Sequence, residues 1–132
     1  MIYDGDCAFC AYWIGRWHAR TGERVEYAPY QEAAGRFPEI PRTRFERAVH
    51  LIEPDGRVSS GAEAVFRVLP YARRSAAAAA MLWLYRRVPG VAALCEWAYR
   101  FVAGHRPQFT MLMRFVPGWR RSHQRRADRR DV

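Results

Sequence analysis

Two cysteines three positions apart, Cys7 and Cys10, stand where a short apolar segment passes into a helical pattern. The segment Met1-Ile2-Tyr3 is predicted to be the end of a buried strand, and Asp4-Gly5-Asp6 is typical of a turn. From residue 7 to about residue 20 apolar side chains recur at helical spacing, which predicts a helix that ends at Thr21-Gly22. The chain is therefore restricted to folds that hold a C-x-x-C at the start of a helix.

Strands and helices alternate in the pattern that follows. The predicted elements are a strand over 24–28, a short helix near 31–37, a turn around Arg44, a strand over 48–52, a hairpin through Pro54-Asp55-Gly56 into 57–59, and a helix over 61–69. In the last helix, Ala62, Val65, Phe66 and Leu69 are predicted to form the apolar face. The order predicts an α/β fold with a thioredoxin-like β-α-β-(α)-β-β-α core.

The pattern beyond Pro70 is helical. It predicts helices over 71–87, 91–103 and 107–116, followed by an Arg-rich tail. We expect a core over 1–70 that carries the C-x-x-C, a C-terminal α-helical extension over 71–116 that packs on the same domain, and a tail over 117–132. A first strand of about three residues leaves open a start upstream of Met1.

Charge and cysteine usage limit the class of protein. The net charge of +9 comes entirely from Arg, and residues 114–132 hold seven Arg against two acidic residues. Three cysteines are too few for a disulfide scaffold, and the start of the chain does not have the pattern of a signal peptide. The longest apolar run, 76–85, is shorter than the ~20 residues that a membrane span needs. We expect a protein of the bacterial cytoplasm, free or peripheral at the inner membrane surface.

A C-x-x-C at a helix start meets the two requirements of disulfide exchange: two thiols that can bond to each other, one of them an accessible thiolate. We predict Cys7 as the nucleophile, because free N–H groups and the helix dipole favour a negative sulfur there, and Cys10 as the resolving thiol. No bound cofactor is expected, since the cysteines themselves carry the electrons.

Asp4 and Asp6 are predicted supporting residues. Asp6 disfavours the neighbouring thiolate, either carboxylate can cap the helix instead, and a buried carboxylate can take the proton that Cys10 loses. Because no basic residue precedes Arg16, we expect a reducing or neutral redox potential.

The segment Tyr3-Asp4-Gly5-Asp6-Cys7-Ala8-Phe9-Cys10 resembles the signature of the DCC-motif thiol-disulfide oxidoreductases. The similarity continues in Val49-His50-Leu51-Ile52, Asp55-Gly56 and Gly61-Ala62-Glu63-Ala64, and returns in 97–106, so that it spans about residues 1–110. The resemblance implies a thioredoxin-like fold and disulfide exchange through Cys7 and Cys10. The substrate class that follows is a disulfide or dithiol of a protein or small molecule.

One departure from thioredoxin-like proteins concerns the loop before the third strand, where those proteins usually carry a cis-proline. Here the nearest upstream proline is Pro41, seven residues before Ala48.

Other interpretations of the same residues stay open. A metal site would need two more ligands beside the cysteines, from among His18, His50, His105 and His123. Asp4-Gly5-Asp6 is also similar to the Asp-x-Asp of haloacid-dehalogenase-like phosphatases, but the chain lacks the Lys that these enzymes usually use. In a third interpretation the cysteines are structural, in a non-catalytic module that the helices and the tail bring to a partner or membrane.

Two features of the C-terminal part are predicted to be structural. Cys95, on an apolar helix face, is expected to be an inert buried thiol, with a regulatory thiol as the alternative. The aromatic residues of 81–101 are expected to form a helix–helix core.

The Arg-rich tail is predicted to be a solvated, flexible end. The alternative is contact with an anionic membrane surface, which Trp119 beside Arg120 and Arg121 favours. We expect no nucleic-acid partner.

Overall fold

The computed structural model describes residues 1–72 and 76–116 of the chain. In these residues the protein is a mixed α/β structure with four strands and seven α-helices, consistent with a thioredoxin-like family. The elements are β1 (Ile2–Tyr3), α1 (Ala8–Thr21), β2 (Ala28–Pro29), α2 (Tyr30–Ala33), α3 (Arg42–Arg47), β3 (His50–Ile52), β4 (Val58–Ser60), α4 (Gly61–Val68), α5 (Ala76–Arg87), α6 (Val91–Gly104) and α7 (Arg106–Met113). The predicted tail over 117–132 lies outside the described residues.

The four strands form one sheet in the order β2-β1-β3-β4. β1 pairs in parallel with β2, and β3 is antiparallel to both β1 and β4. The β3–β4 hairpin closes through the predicted turn, in which Gly56 has a φ of +84° that favours glycine. Because β1 and β2 are parallel, the segments that leave their carboxyl ends emerge at the same edge of the sheet.

A hydrophobic cluster lies on each side of this sheet, because successive strand residues point to opposite faces. On one side Leu51 of β3 packs with Ala64 and Val68 of α4 beneath α1. On the other side Ile2 of β1 packs with residues of α2 and α3, including Phe45. Helices therefore cover both faces, and β1 is an inner strand of the sheet.

Two predictions about local structure are wrong. The second strand is confined to Ala28–Pro29, because Gly22–Arg24 continues the first helix as a 3₁₀ turn and β1 offers two residues for pairing. The turn predicted around Arg44 is helix α3. Phe45 in that helix is 1 % exposed and stacks on Tyr30. Burial of this ring stabilises the short helix, although Pro38 and Pro41 indicated a break in the sequence pattern.

The predicted apolar face of α4 is confirmed at Ala62 and Leu69, which are buried, but it misses the two most buried residues of the helix. Ala64 and Val68 are completely buried, whereas Val65 and Phe66 are half-buried. Phe66 does not point to the sheet but to helix α5, where its ring stacks on Tyr85 with centroids 4.3 Å apart.

Polar side chains of α6 tie the C-terminal helices to the core. The hydroxyl oxygen of Tyr99 accepts the backbone N–H of Val49 at 3.0 Å. The Oε1 atom of Glu96 accepts the N–H of Glu63 at 2.9 Å, in the first turn of α4, where a carboxylate complements the helix dipole. Gly61 makes this approach possible, since a Cβ atom there would lie 3.0 Å from Glu96 Oε2.

The aromatic residues of 81–101 form the predicted helix–helix core only in part, because Tyr85 stacks on Phe66 of α4 and Tyr99 faces the core, whereas the other three are exposed. Trp83, Trp97 and Phe101 are 60 %, 66 % and 50 % exposed, respectively. α6 turns Glu96 and Tyr99 toward the core, so its apolar side faces outward. The spacing of apolar residues predicts that a helix is amphipathic, but here it did not predict which side of the helix packs against the core. Among the described residues, no helix has both the length and the apolarity to cross a membrane.

Candidate redox site

The two predicted cysteines meet at the start of α1. Cys7 is the N-cap residue, with extended backbone angles of φ −82° and ψ 107°. Its Sγ accepts a hydrogen bond from the backbone N–H of Cys10 at 3.2 Å. The two sulfurs are joined as a disulfide, the Cα atoms lie 5.2 Å apart, and both residues are half-buried. The pair can therefore bond without displacing the helix.

The alternative that Asp4 or Asp6 caps the helix is wrong. The Cys7 sulfur occupies that position, and the first turn of α1 has no acidic residue. Both carboxylates belong to the turn that directly precedes Cys7, and both face Gln31 of α2. The Nε2 atom of Gln31 donates to Asp4 Oδ1 at 3.0 Å and to Asp6 Oδ2 at 3.1 Å. A tertiary contact thus replaces the local cap.

Gly5 allows this contact between the two chain segments. Its N–H donates to Gln31 Oε1 at 3.0 Å, so one side-chain amide binds three consecutive residues of the turn. A Cβ atom at Gly5 would lie 2.7 Å from the Cβ of Pro29 and 2.8 Å from Gln31 Oε1. Such distances are steric clashes, so glycine is needed for the close approach of the β1 and β2 carboxyl ends.

Arg106, the first residue of α7, reaches the same turn from the far end of the chain. Its Nη1 atom lies 3.9 Å from Asp4 Oδ2, and the two side chains are 16 % and 22 % exposed. The guanidinium also donates to the backbone oxygens of Glu46, at 3.0 Å, and Arg47. These carbonyls end α3, where a cation complements the helix dipole. Arg106 therefore joins the C-terminal helices, α3 and the turn before Cys7.

Tyr99 extends the network to the residue that precedes β3. Burial raises the pKa of Tyr99, while hydrogen bonds with the Val49 backbone and with Arg106 act to lower it. Val49 also accepts the N–H of Gly61 through its carbonyl oxygen at 3.0 Å. Both backbone groups of Val49 are thus engaged within the chain. Residues 1–72 and 76–116 contain no cis peptide bond, so the loop before β3 differs from the usual thioredoxin-like one.

Aromatic rings cluster where the start of α1 meets α7. Phe9, between the two cysteines in sequence, lies 6.0 Å from Phe109 of α7 and 6.3 Å from Trp13, measured between ring centroids. Trp13, one of the apolar residues that recur at helical spacing in 7–20, is 43 % exposed. The first turns of α1 therefore carry an aromatic surface on the side that faces α7.

The residues proposed for the metal interpretation do not converge. In the part of the chain that the structure describes, no group of three or more His, Cys, Asp or Glu side chains is arranged to hold a metal ion. His50 is buried, with Nδ1 3.0 Å from the Ala48 oxygen, and burial lowers its pKa. Cys95 is half-buried and not in a disulfide, and His123 lies outside the described residues.

Gln31 and Arg106 are the site residues that the sequence interpretation missed. Gln31 had no motif around it. Arg106 closes the segment 97–106 in which the family resemblance returns, and that recurrence was the available signal. The expectation of no basic residue near the cysteines considered sequence neighbours alone, whereas Arg106 is brought to Asp4 by folding.

Comparison with known proteins decides the family. A model of the DCC1-like thiol-disulfide oxidoreductase family matches residues 1–112. The chain belongs to this family. No curated protein and no solved structure matches it.

In this DCC1-like protein the family match covers the cysteine pair, the turn before it, Gln31 and Arg106. At the level of the family, the protein is an oxidoreductase of thiols and disulfides. The match also ends close to the last residue of α7, so the C-terminal helices belong to the family's common region.

Proposed function

We propose that this protein exchanges a dithiol for a disulfide, with Cys7 as the nucleophile and Cys10 as the resolving thiol. The observation that carries the proposal is the hydrogen bond from the Cys10 N–H to Cys7 Sγ at the start of α1. In the reduced protein this N–H and the helix dipole would stabilise a Cys7 thiolate. The substrate is a disulfide of a protein or small molecule.

The reaction proceeds through a mixed disulfide. The Cys7 thiolate attacks one sulfur of the substrate, the substrate S–S bond breaks, and the first substrate thiolate leaves. Cys10 then loses its proton and attacks the Cys7 sulfur, which forms the Cys7–Cys10 disulfide and releases the second substrate thiolate. The substrate gains two electrons and the protein loses two. A dithiol reductant must then return the pair to its reduced form.

Asp4 and Asp6 have supporting roles in the proposal. The contacts of Asp4 with Gln31 and Arg106 fix the turn that presents Cys7, which makes Asp4 a positioning residue. Transfer of the Cys10 proton to one of the two carboxylates remains a prediction.

The fold and setting that we propose are those of a thioredoxin-like reductase. The strand order and the helices on both faces support a thioredoxin-like core over 1–70 with the helical extension over 71–116 packed on it. Three cysteines, one of them free, are too few for the disulfide scaffold of a small secreted protein, and we propose the bacterial cytoplasm as the compartment.

The proposal is tested with a disulfide-reduction assay on a model protein disulfide, with a small dithiol as electron donor. Cys7→Ser should abolish turnover, and Cys10→Ser should accumulate a mixed disulfide that a non-reducing gel detects. Cys95→Ser, a cysteine outside the pair, is the matched control and should retain full activity. Activity that persists in Cys7→Ser would rule out this mechanism, and the absence of turnover in the unmodified chain would favour the module with structural cysteines.

A redox titration of the purified chain gives the direction of the reaction. We propose a reductase, whose midpoint potential lies near that of a reducing cytosol, roughly −220 to −320 mV. A potential near −120 mV, on the order of that of a strong oxidant, would contradict the reductase assignment while leaving the exchange chemistry intact.

A further inference from the structure

An apolar stripe on α6 faces solvent, while the opposite side of the helix turns Glu96 and Tyr99 toward the core. The stripe consists of Leu94, Trp97 and Phe101, which are 63 %, 66 % and 50 % exposed. The rings of Trp97 and Phe101 stack with centroids 5.9 Å apart, so the stripe presents a continuous aromatic surface. Its neighbours add exposed apolar side chains: Met81, Trp83 and Leu84 on α5, and Met111, Leu112 and Phe115 on or after α7.

The orientation of α6 is fixed by its polar contacts. Glu96 accepts the N–H of Glu63, and Tyr99 accepts the N–H of Val49. Rotation of the helix to bury Trp97 and Phe101 would break both of these hydrogen bonds. The exposed stripe is thus a built feature of the fold, and apolar surface of this kind in a folded protein marks an interaction site.

The segment that carries the stripe has charge of mainly one sign. Residues 76–116 contain five Arg and one acidic residue, Glu96, which faces the core. Four of these arginines are exposed: Arg86, Arg87, Arg100 and Arg114. The remaining one, Arg106, is bound to Asp4 and to the end of α3.

We infer that the α6 stripe and its arginines dock on an anionic lipid surface. Exposed Trp, Phe and Leu side chains with surrounding Arg are the composition of helices that lie in the membrane interface. Each Arg near an anionic leaflet adds attraction, and the aromatic rings enter the headgroup region. A second copy of this chain is disfavoured as the occupant, because a two-fold contact would bring the same arginines together without exposed acidic residues in 76–116 to pair with them. The inference does not rest on the redox chemistry.

Flotation of the full chain with lipid vesicles tests the inference. We expect binding to vesicles of phosphatidylcholine with an equal part of phosphatidylglycerol, and little binding to phosphatidylcholine alone. Trp97→Ser with Phe101→Ser should weaken binding about tenfold or more, because the apolar area that enters the interface is lost. Trp13→Ser removes an exposed tryptophan from α1 and should bind as the unmodified chain does.

A second pair of variants changes charge and leaves the apolar surface intact. Arg86→Gln with Arg87→Gln should weaken binding to the anionic vesicles about tenfold, whereas Arg16→Gln with Arg20→Gln on α1 should have a smaller effect. Every variant keeps residues 117–132, so differences arise from the helices. Equal losses in the two arginine pairs, or no binding to anionic vesicles, would overturn the inference. So would a dimer in sedimentation that the Trp97 and Phe101 substitutions dissociate without any vesicle binding.

Discussion

Arg106 lies with its Nη1 atom 3.9 Å from Asp4 Oδ2, although 101 residues separate the two in the chain. The same guanidinium donates to backbone oxygens at the end of α3. A helix added after the β-α-β-β-α core thereby supports the turn that precedes the nucleophilic cysteine. This contact makes the C-terminal helices part of the redox site's structure.

Arg106→Gln should destabilise the protein by about 1–3 kcal/mol, because two backbone oxygens lose a charged donor and the Asp4 carboxylate loses its ion-pair partner in a partly buried site. Urea unfolding measures the effect. The control is Arg36→Gln, which breaks an ion pair with Glu26 in which both side chains are more than half exposed. We expect the control to change the free energy of unfolding by less than about 1 kcal/mol. Equal effects in the two variants would contradict a supporting role for Arg106.

Gly5→Ala should destabilise the protein by about 1–3 kcal/mol, since the added Cβ clashes with Pro29 and the chain segments must move apart. Disulfide-reduction activity should fall with it, because the turn before Cys7 shifts. Gly15→Ala is the matched control: no atom lies within 4 Å of its added Cβ, and it lies within α1. Alanine there should stabilise the helix by about 0.5–1 kcal/mol. A neutral Gly5→Ala would disprove the close-approach argument.

Gln31→Glu replaces the amide donor between Asp4 and Asp6 with a third carboxylate. We expect a loss of about 1–3 kcal/mol in stability and slower disulfide reduction at neutral pH, because donors become repelling acceptors. Thermal unfolding and initial rates measure the two effects. Gln108→Glu makes the same chemical change at an exposed position of α7 and should leave both quantities nearly unchanged. Wild-type rates in Gln31→Glu would remove Gln31 from the site.

His50 predicts a pH dependence of stability. Burial lowers its pKa below the ordinary value near 6.5, so the unfolded chain binds a proton that the folded protein resists. The stabilising contribution is therefore complete above about pH 6.5 and is lost as the pH falls from there toward the folded-state pKa. Unfolding free energies at neutral and mildly acidic pH measure it. His50→Gln should flatten the dependence over this range, whereas His18→Gln, at an exposed position, should keep it.

The local sequence pattern was sufficient to predict those elements that are determined by their own residues. The hairpin followed from Pro54-Asp55-Gly56, and the cysteine pair followed from a turn that leads into an apolar helical repeat. It failed where burial came from elsewhere in the chain. Helix α3 depends on the packing of Phe45 against Tyr30. The sequence around either residue does not predict that contact.

The sequence by itself determined the order of most strands and helices, the C-x-x-C at a helix start and the family to which the chain is similar, because these depend on residues close together in the chain. Tertiary structure decided which side of α6 faces outward, which residue caps α1 and which residues hold Asp4. Those outcomes depend on contacts between segments up to about a hundred residues apart. Such contacts are set by the packing of whole helices against the sheet, and local spacing carries no information about that packing.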